Sequence, residues 1–215
     1  LAAKSDVVVR FQGGSNAGHT VINEHGKFAL HLLPSGVFNP AVTNVLGPGV
    51  AVDIGDFLAE IDDLTERGIP SPKVLISDRA QVVMPYHKQF DAYEEERLGS
   101  RKFGSTKSGI APFYSDKFAK SGIQVATLYE PDYLREKMSY ALEIKNVLLE
   151  HLYGKKPVDG EALLAQLLSW GDRIRPYVGD AGAFLRDLLA EGKTVLLEGQ
   201  LGTLRDPDHG IYPYS

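Results

Sequence analysis

Three stretches of this chain carry residue types able to do chemistry. The first is Gly13-Gly14-Ser15-Asn16-Ala17-Gly18-His19-Thr20. Glycines let backbone amides approach an anion or a base closely. Asn16 can both donate and accept. His19 can act as a general acid near neutral pH, since its reference pKa is about 6.5. The plain alternative is a strand-to-strand turn with a surface histidine. Gly13 to Ala17 also approximates a G-x-S-x-G nucleophile elbow with Ala in the last place, but no helix pattern follows Ser15, as that motif requires.

The second stretch is basic. Arg97, Arg101, Lys102, Lys107, Lys117 and Lys120 face a single acid, Asp116, a local excess of +5 in a chain of net charge −5. With the hydroxyls of Ser105, Thr106 and Ser108 it suits a phosphate group. A solvated loop with lysines in water is the alternative. Gly99 to Gly104 spaces two glycines as a P-loop does, but Ser105 stands where that motif needs Lys. The third stretch is Glu198-Gly199-Gln200-Leu201-Gly202-Thr203, followed by Asp206, Asp208 and His209. Asp-Pro-Asp-His-Gly reads as a turn with side-chain hydrogen bonds of the Asx type rather than as a metal site. His25, His31, His87 and His151 read as surface or satisfied core histidines, and Glu94-Glu95-Glu96 as a solvated helix face.

The elements that must position these residues alternate. Asp6–Phe11 reads as a buried strand running into the first glycine loop. Lys27–Leu33, Lys73–Ser77 and Thr194–Leu197 are further strand candidates, and Thr43–Val52 is another apolar run, with glycines at 47 and 49. Helical spacing covers Asp53–Arg67, with Gly68 at the C′ position. It also covers 86–98, 131–153, 160–168 and 181–190. The segment 99–122 shows little periodicity and reads as a long functional loop. The alternation predicts an α/β fold with a central, mostly parallel sheet flanked by helices. Ligands in such sheets sit beyond the carboxyl ends of strands, where loops 13–20 and 198–203 lie.

The 215 residues are 43% hydrophobic and 24% charged, ordinary for a globular protein, and are read as one α/β domain over 1–215. The absence of cysteine excludes a disulfide scaffold, cysteine-ligated metals and a thiol nucleophile, and fits a reducing compartment. The acidic balance argues against a nucleic-acid polymer as partner. No apolar run approaches the ~20 residues of a spanning helix, so no membrane partner is expected. The chain opens on Leu-Ala-Ala-Lys without an initiator Met, like the last turn of a helix, and reads as a fragment.

Taken together, the motifs resemble the adenylosuccinate synthetase family. They are Val9-Arg10-Phe11-Gln12 leading into the first glycine loop, His31-Leu32-Leu33-Pro34-Ser35-Gly36, Arg67-Gly68-Ile69-Pro70, Gly104 to Pro112, Glu198 to Thr203, and Asp206 to Tyr214. The resemblance covers essentially all of this chain and about half of a family member. It implies the family's P-loop-like sheet fold, incomplete here. It also implies a cytoplasmic, homodimeric ligase of purine biosynthesis that joins IMP and L-aspartate with GTP and Mg²⁺ through a 6-phosphoryl-IMP intermediate.

The residue roles that follow are also implied by the resemblance. His19 is the catalytic histidine, acting as general acid toward the GTP leaving phosphate or stabilising the charge there. Asn16, Ala17, Gly18 and His19 line the IMP site, and Thr106 contacts the IMP phosphate. Gly18, His19 and Thr20 touch GTP, and the carbonyl of Gly18 ligates Mg²⁺. Lys120 stands where most members carry an Arg reaching the partner's IMP, and lacks that residue's bidentate fork. Gln200 is expected to reach IMP, although it sits one place early against the usual E-G-A-Q-G-T and such a shift can aim a side chain elsewhere. The family's phosphate loop, aspartate loop and guanine-recognition segment are expected outside these residues, so the chain alone is expected to be inactive. Two rivals remain: a relative using dGMP in place of IMP, and a truncated, non-catalytic nucleotide-binding module.

Overall fold

The computed structural model describes residues 1–214. Strand β1 (Val7–Arg10) is buried along its whole length, as an unbroken V-V-V run inside a parallel sheet should be. It pairs in parallel with β4 (Thr43–Leu46) on one side and β9 (Val195–Glu198) on the other. Beyond β4 come β6 (Lys73–Ser77) and the short β8 (Val178–Gly179), giving the order β8-β6-β4-β1-β9, all parallel. The hairpin β2 (His19–Asn23) with β3 (Gly26–Leu30) and the two-residue pair β5 (Ala51–Val52) with β7 (Gln81–Val82) stand apart from this sheet.

Six α-helices accompany the strands among the described residues. Helix α1 (Ile54–Glu66) follows the apolar spacing. Asp53 caps it by accepting the Asp56 N–H at 3.0 Å, and Gly68 ends it at φ +76°. Ile54, Phe57, Leu58, Ile61 and Leu64 are its buried face. The others are α2 (Pro85–Leu98), α3 (Ile110–Ala119), α4 (Pro131–His151), α5 (Gly160–Ile174) and α6 (Ala181–Ala190). Alternation along the strands splits the sheet between two cores. Val7, Val9, Val45 and Leu75 pack with Ala181 and Phe184 of α6. Leu46 and Ile76 face the larger core with Phe57, Phe90, Leu134 and Leu167. The α/β reading with a mostly parallel sheet holds.

Several local readings differ from the structure. The apolar run 43–52 is two strands, β4 and β5, in different sheets, and the helix read over 160–168 runs on to Ile174. The loop expected over 13–20 ends at Gly18, because His19 already pairs with Leu30 as the first residue of β2. The segment 99–122 contains α3. This helix has ten residues, carries Pro112 in its first turn where the ring is tolerated, and lies between Gly109 and Lys120, both left-handed. So short a span shows only Ile110, Phe113 and Tyr114 as a face. The acidic run 94–96 is not uniformly solvated: Glu95 is buried and accepts the Phe103 and Gly104 N–H groups, each at 3.0 Å.

Candidate active site

Arg10 and Glu198 are register partners at the carboxyl ends of β1 and β9. The loops that leave these ends turn toward each other and, with the start of β2, enclose a cleft of about 210 Å³. Ala17, Gly18, His19, Ser35 and Gln200 are in its wall. Two glycine-bearing loops, 186 residues apart at Gly14 and Gln200, thus share one space because their strands are neighbours.

Arg10 is 2% exposed. Its Nη1 donates to the carbonyls of His31 at 2.5 Å and Leu32 at 2.9 Å, and its Nη2 lies 3.8 Å from Glu198 Oε1. Burial pulls the guanidinium below its ordinary pKa, against the opposing pull of Glu198 and Glu60. Glu198 Oε2 in turn accepts from the Ser35 N–H at 3.0 Å and hydroxyl at 2.5 Å. Glu60 of α1 holds the same segment from its other side, accepting the N–H groups of His31, Leu32 and Leu33 at 2.5, 3.1 and 2.8 Å. The backbone of 31–35 is therefore fixed by one buried cation and two carboxylates.

His19 takes its character from this arrangement. Arg10 Nη2 is 3.4 Å from His19 Nδ1. A guanidinium only donates, so Nδ1 accepts and the ring proton is on Nε2. Burial lowers the His19 pKa and the Arg10 charge lowers it further, so the ring is neutral at pH 7. Nε2 has no partner among the described residues. Gly18 lies so close to the His31 ring that a Cβ would stand 2.8 Å from its Nε2.

The third wall is made by Gln200. Its Oε1 accepts the Gly14 N–H and its Nε2 donates to the Gly14 carbonyl, so it holds that residue through the peptide units on either side of its Cα. Gly13 is at φ +83°, and a Cβ on it would overlap Gln200 Oε1. The Gly13 N–H donates to Tyr114 Oη at 3.1 Å, and that hydroxyl donates to the Gly49 carbonyl at 2.9 Å. Helix α3 is thereby joined to the first glycine loop.

The expected site residues separate into groups. Ala17, Gly18, His19 and Gln200 line the cleft. Asn16 is half-buried with an unpartnered Oδ1, and Thr20 is exposed on β2 opposite Ala29. Thr106 is exposed on the loop before α3, with its hydroxyl 3.1 Å from that of Ser108. Lys120 lines a second cleft, also about 210 Å³, with Gln81, Lys117 and Lys137. Asp206 accepts the N–H groups of Asp208 and His209, each at 2.9 Å, an Asx-type turn.

Sequence reading assigned no role to Arg10, Ser35 or Glu60. The one available signal was an Arg at the end of a V-V-V run, where a charge is out of place unless it is paired. His87 is a core histidine with both nitrogens engaged, by the Met84 N–H at 3.0 Å and Asp116 at 2.9 Å.

A family model for adenylosuccinate synthetase matches residues 1–215. The adenylosuccinate synthetase of Mycobacterium marinum is 47% identical over 215 residues, covering all of this chain and 50% of the relative. That of Dehalococcoides mccartyi strain BAV1 is 43% identical, with 51% of the relative covered. The chain spans about half the length of the curated relatives it matches. Among solved structures, the fully ligated adenylosuccinate synthetase of Plasmodium falciparum superposes with a TM-score of 0.85 at 31% identity. That match covers 99% of this chain and 49% of the other. The cyanophage S-2L succinoaminodeoxyadenylate synthetase, bound to dGMP and dATP, shares the fold at a TM-score of 0.55 and 22% identity. With its whole length matched and its sheet superposed, the chain belongs to the adenylosuccinate synthetase family.

Proposed function

We propose that the protein carrying this chain condenses IMP with L-aspartate, driven by GTP, to give adenylosuccinate in purine nucleotide biosynthesis. The γ-phosphoryl group of GTP passes to the 6-oxygen of IMP. The aspartate amine then forms the bond to C6 as the phosphate leaves. The observation that carries this reading is the place of His19 in the cleft wall, its Nδ1 3.4 Å from Arg10 Nη2 and its buried Nε2 without a partner among the described residues. Such a donor stabilises negative charge building on the leaving phosphate of GTP without first having to lose a charge of its own.

Asn16, Ala17, Gly18 and His19 would line the IMP site, and Thr106 would hold its phosphate. Gly18, His19 and Thr20 would flank GTP, and Gln200, bonded to Gly14, would reach IMP. Lys120, in its separate cleft, would serve the partner subunit of a homodimer. The protein is proposed to work in the cytoplasm; no helix among the described residues is long and apolar enough to cross a membrane.

Mg²⁺ takes oxygen ligands and leaves much of its shell to phosphates and water. Among the described residues no group of three His, Asp or Glu could hold a metal. The Gly18 carbonyl, on a loop packed too tightly for a side chain, fits a single hard donor to an ion held mainly by the nucleotide. When bound, the ion neutralises charge on the transferring phosphates.

The test is product formation by the complete protein from IMP, L-aspartate, GTP and Mg²⁺, with dGMP in a parallel arm. Adenylosuccinate from the IMP arm alone, its turnover lowered about 10²–10³-fold by His19→Asn, is the expected result. Product only with dGMP, or nucleotide binding with no product in either arm, would overturn it.

A further inference from the structure

Helix α2 runs beneath the loop that carries Thr106. Asp91 and Glu95, one turn apart on that helix, are both buried and both turned toward the loop. Asp91 accepts from the Ser105 hydroxyl at 2.5 Å and from the Gly109 N–H at 2.9 Å. Glu95 accepts the two amides at the loop's other end, Phe103 and Gly104. Among the described residues no basic side chain pairs with either acid, so four loop donors replace a counter-ion. Buried acids kept in this way are costly unless every bond is made.

What the four bonds hold is an unusual backbone. Gly104, Lys107 and Gly109 are all left-handed, at φ +82°, +59° and +76°. Lys107 has no glycine's freedom there. Between the pins the side chains of Thr106 and Lys107 stay exposed.

We infer that Asp91 and Glu95 are positioning residues for substrate phosphate: they hold the 103–109 backbone in its binding shape before the ligand arrives. This rests on the reading that Thr106 contacts the IMP phosphate. The two acids act against their own charge, since negative groups beneath a phosphate loop repel a dianion. That opposition gives the effect of neutralisation a diagnostic sign. If the acids matter only as charge, removing it tightens IMP binding; if they position the loop, removing it weakens IMP binding.

The experiment uses the complete protein with Asp91→Asn, Glu95→Gln and, as a control on the underlying reading, Thr106→Val. Loss of one preorganising bond is expected to raise the KM for IMP about tenfold. In the two acid variants kcat and the KM for GTP should stay within about twofold, since the proposed function places only IMP at this loop. Trypsin should cut after Lys107 faster in Asp91→Asn than in the parent, and IMP should protect the parent more. Should Asp91→Asn not fold, Ser105→Ala removes one of the same bonds without altering the acid, and a smaller rise in the KM for IMP is expected. Unchanged or tighter IMP binding in these variants, with Thr106→Val weakened, overturns the positioning role and leaves the site reading standing. No effect of Thr106→Val overturns the site reading itself.

Discussion

Arg10 Nη2 lies 3.4 Å from His19 Nδ1, and this contact decides which nitrogen of the candidate catalytic ring carries the proton. The same guanidinium bonds the carbonyls of His31 and Leu32 and faces Glu198. One buried side chain at the end of β1 thus orients the histidine at the start of β2, ties down the segment after β3 and meets the end of β9.

The first prediction concerns that proton. At pH 7 the ring ¹⁵N signals of His19 should be those of the neutral Nε2–H form. Arg10→Lys keeps a charge but loses the fork that serves the two carbonyls and the ring together. It should give a mixture of tautomers and lower kcat about tenfold or more. A single unchanged tautomer in Arg10→Lys would show that something else orients the ring.

Activity should depend on pH through His19 on the acid side only. Burial, aided by Arg10, lowers its pKa, so the working neutral form persists at neutral and higher pH and is lost on acidification below about 6.5. His19→Asn should cost about 10²–10³ in kcat and remove this acid limb. A rise in kcat on acidification from neutrality, absent in His19→Asn, would instead mark the charged ring as the working form.

Stability should also fall on the acid side, in two stages. Burial lowers the pKa of His87 despite the opposing pull of Asp116, and lowers that of His19. The unfolded chain therefore binds more protons than the native one as pH drops through about 6.5, and stability is lost there. Burial pushes Asp116 up, but the bonds from His87 and Lys145, at 2.9 and 2.6 Å, outweigh it and hold its carboxyl below the usual range. Its contribution persists above the ordinary carboxylate range and disappears only at still lower pH. Melting temperatures across about pH 7.5 to 5.5 should decline. A flat profile over that range would contradict the neutral His87.

Removing Asp116 should be among the costliest single changes. Asp116→Ala leaves Lys145 and the His87 Nε2–H without their acceptor, for a loss of about 3 kcal/mol. Denaturant unfolding of the complete protein measures it. A loss below about 1 kcal/mol, the value of an exposed pair, would mean that water reaches the cluster.

Two glycines of the same backbone class should respond differently. Gly68→Ala meets open space, so it should cost only the left-handed penalty of about 1–2 kcal/mol. Gly13→Ala adds an overlap with the Gln200 side chain that clamps Gly14. It should be clearly more destabilising in the same unfolding measurement and should abolish activity. Equal costs would show that the Gln200 clamp yields freely.

The sequence alone determined the V-V-V strand and the glycine loop after it. It also determined the amphipathic α1 between Asp53 and Gly68, and the order of motifs that resembles one family. These are local properties: apolar period, cap chemistry and turn residues act over a few positions. Only the tertiary structure decided that Arg10 meets Glu198, because parallel pairing joins strand ends 188 residues apart, and no local period reports that. It also decided that Arg10 and Glu95 are buried, since desolvation depends on what packs above a residue. The one-place-early Gln200 was legible as a departure; its grip on Gly14 was not, because aim in a loop is set by neighbours from β1 and α3. Helix α3 was hidden for the same reason: its few apolar residues gain meaning only against Ala51 and Val83, which pack beneath it.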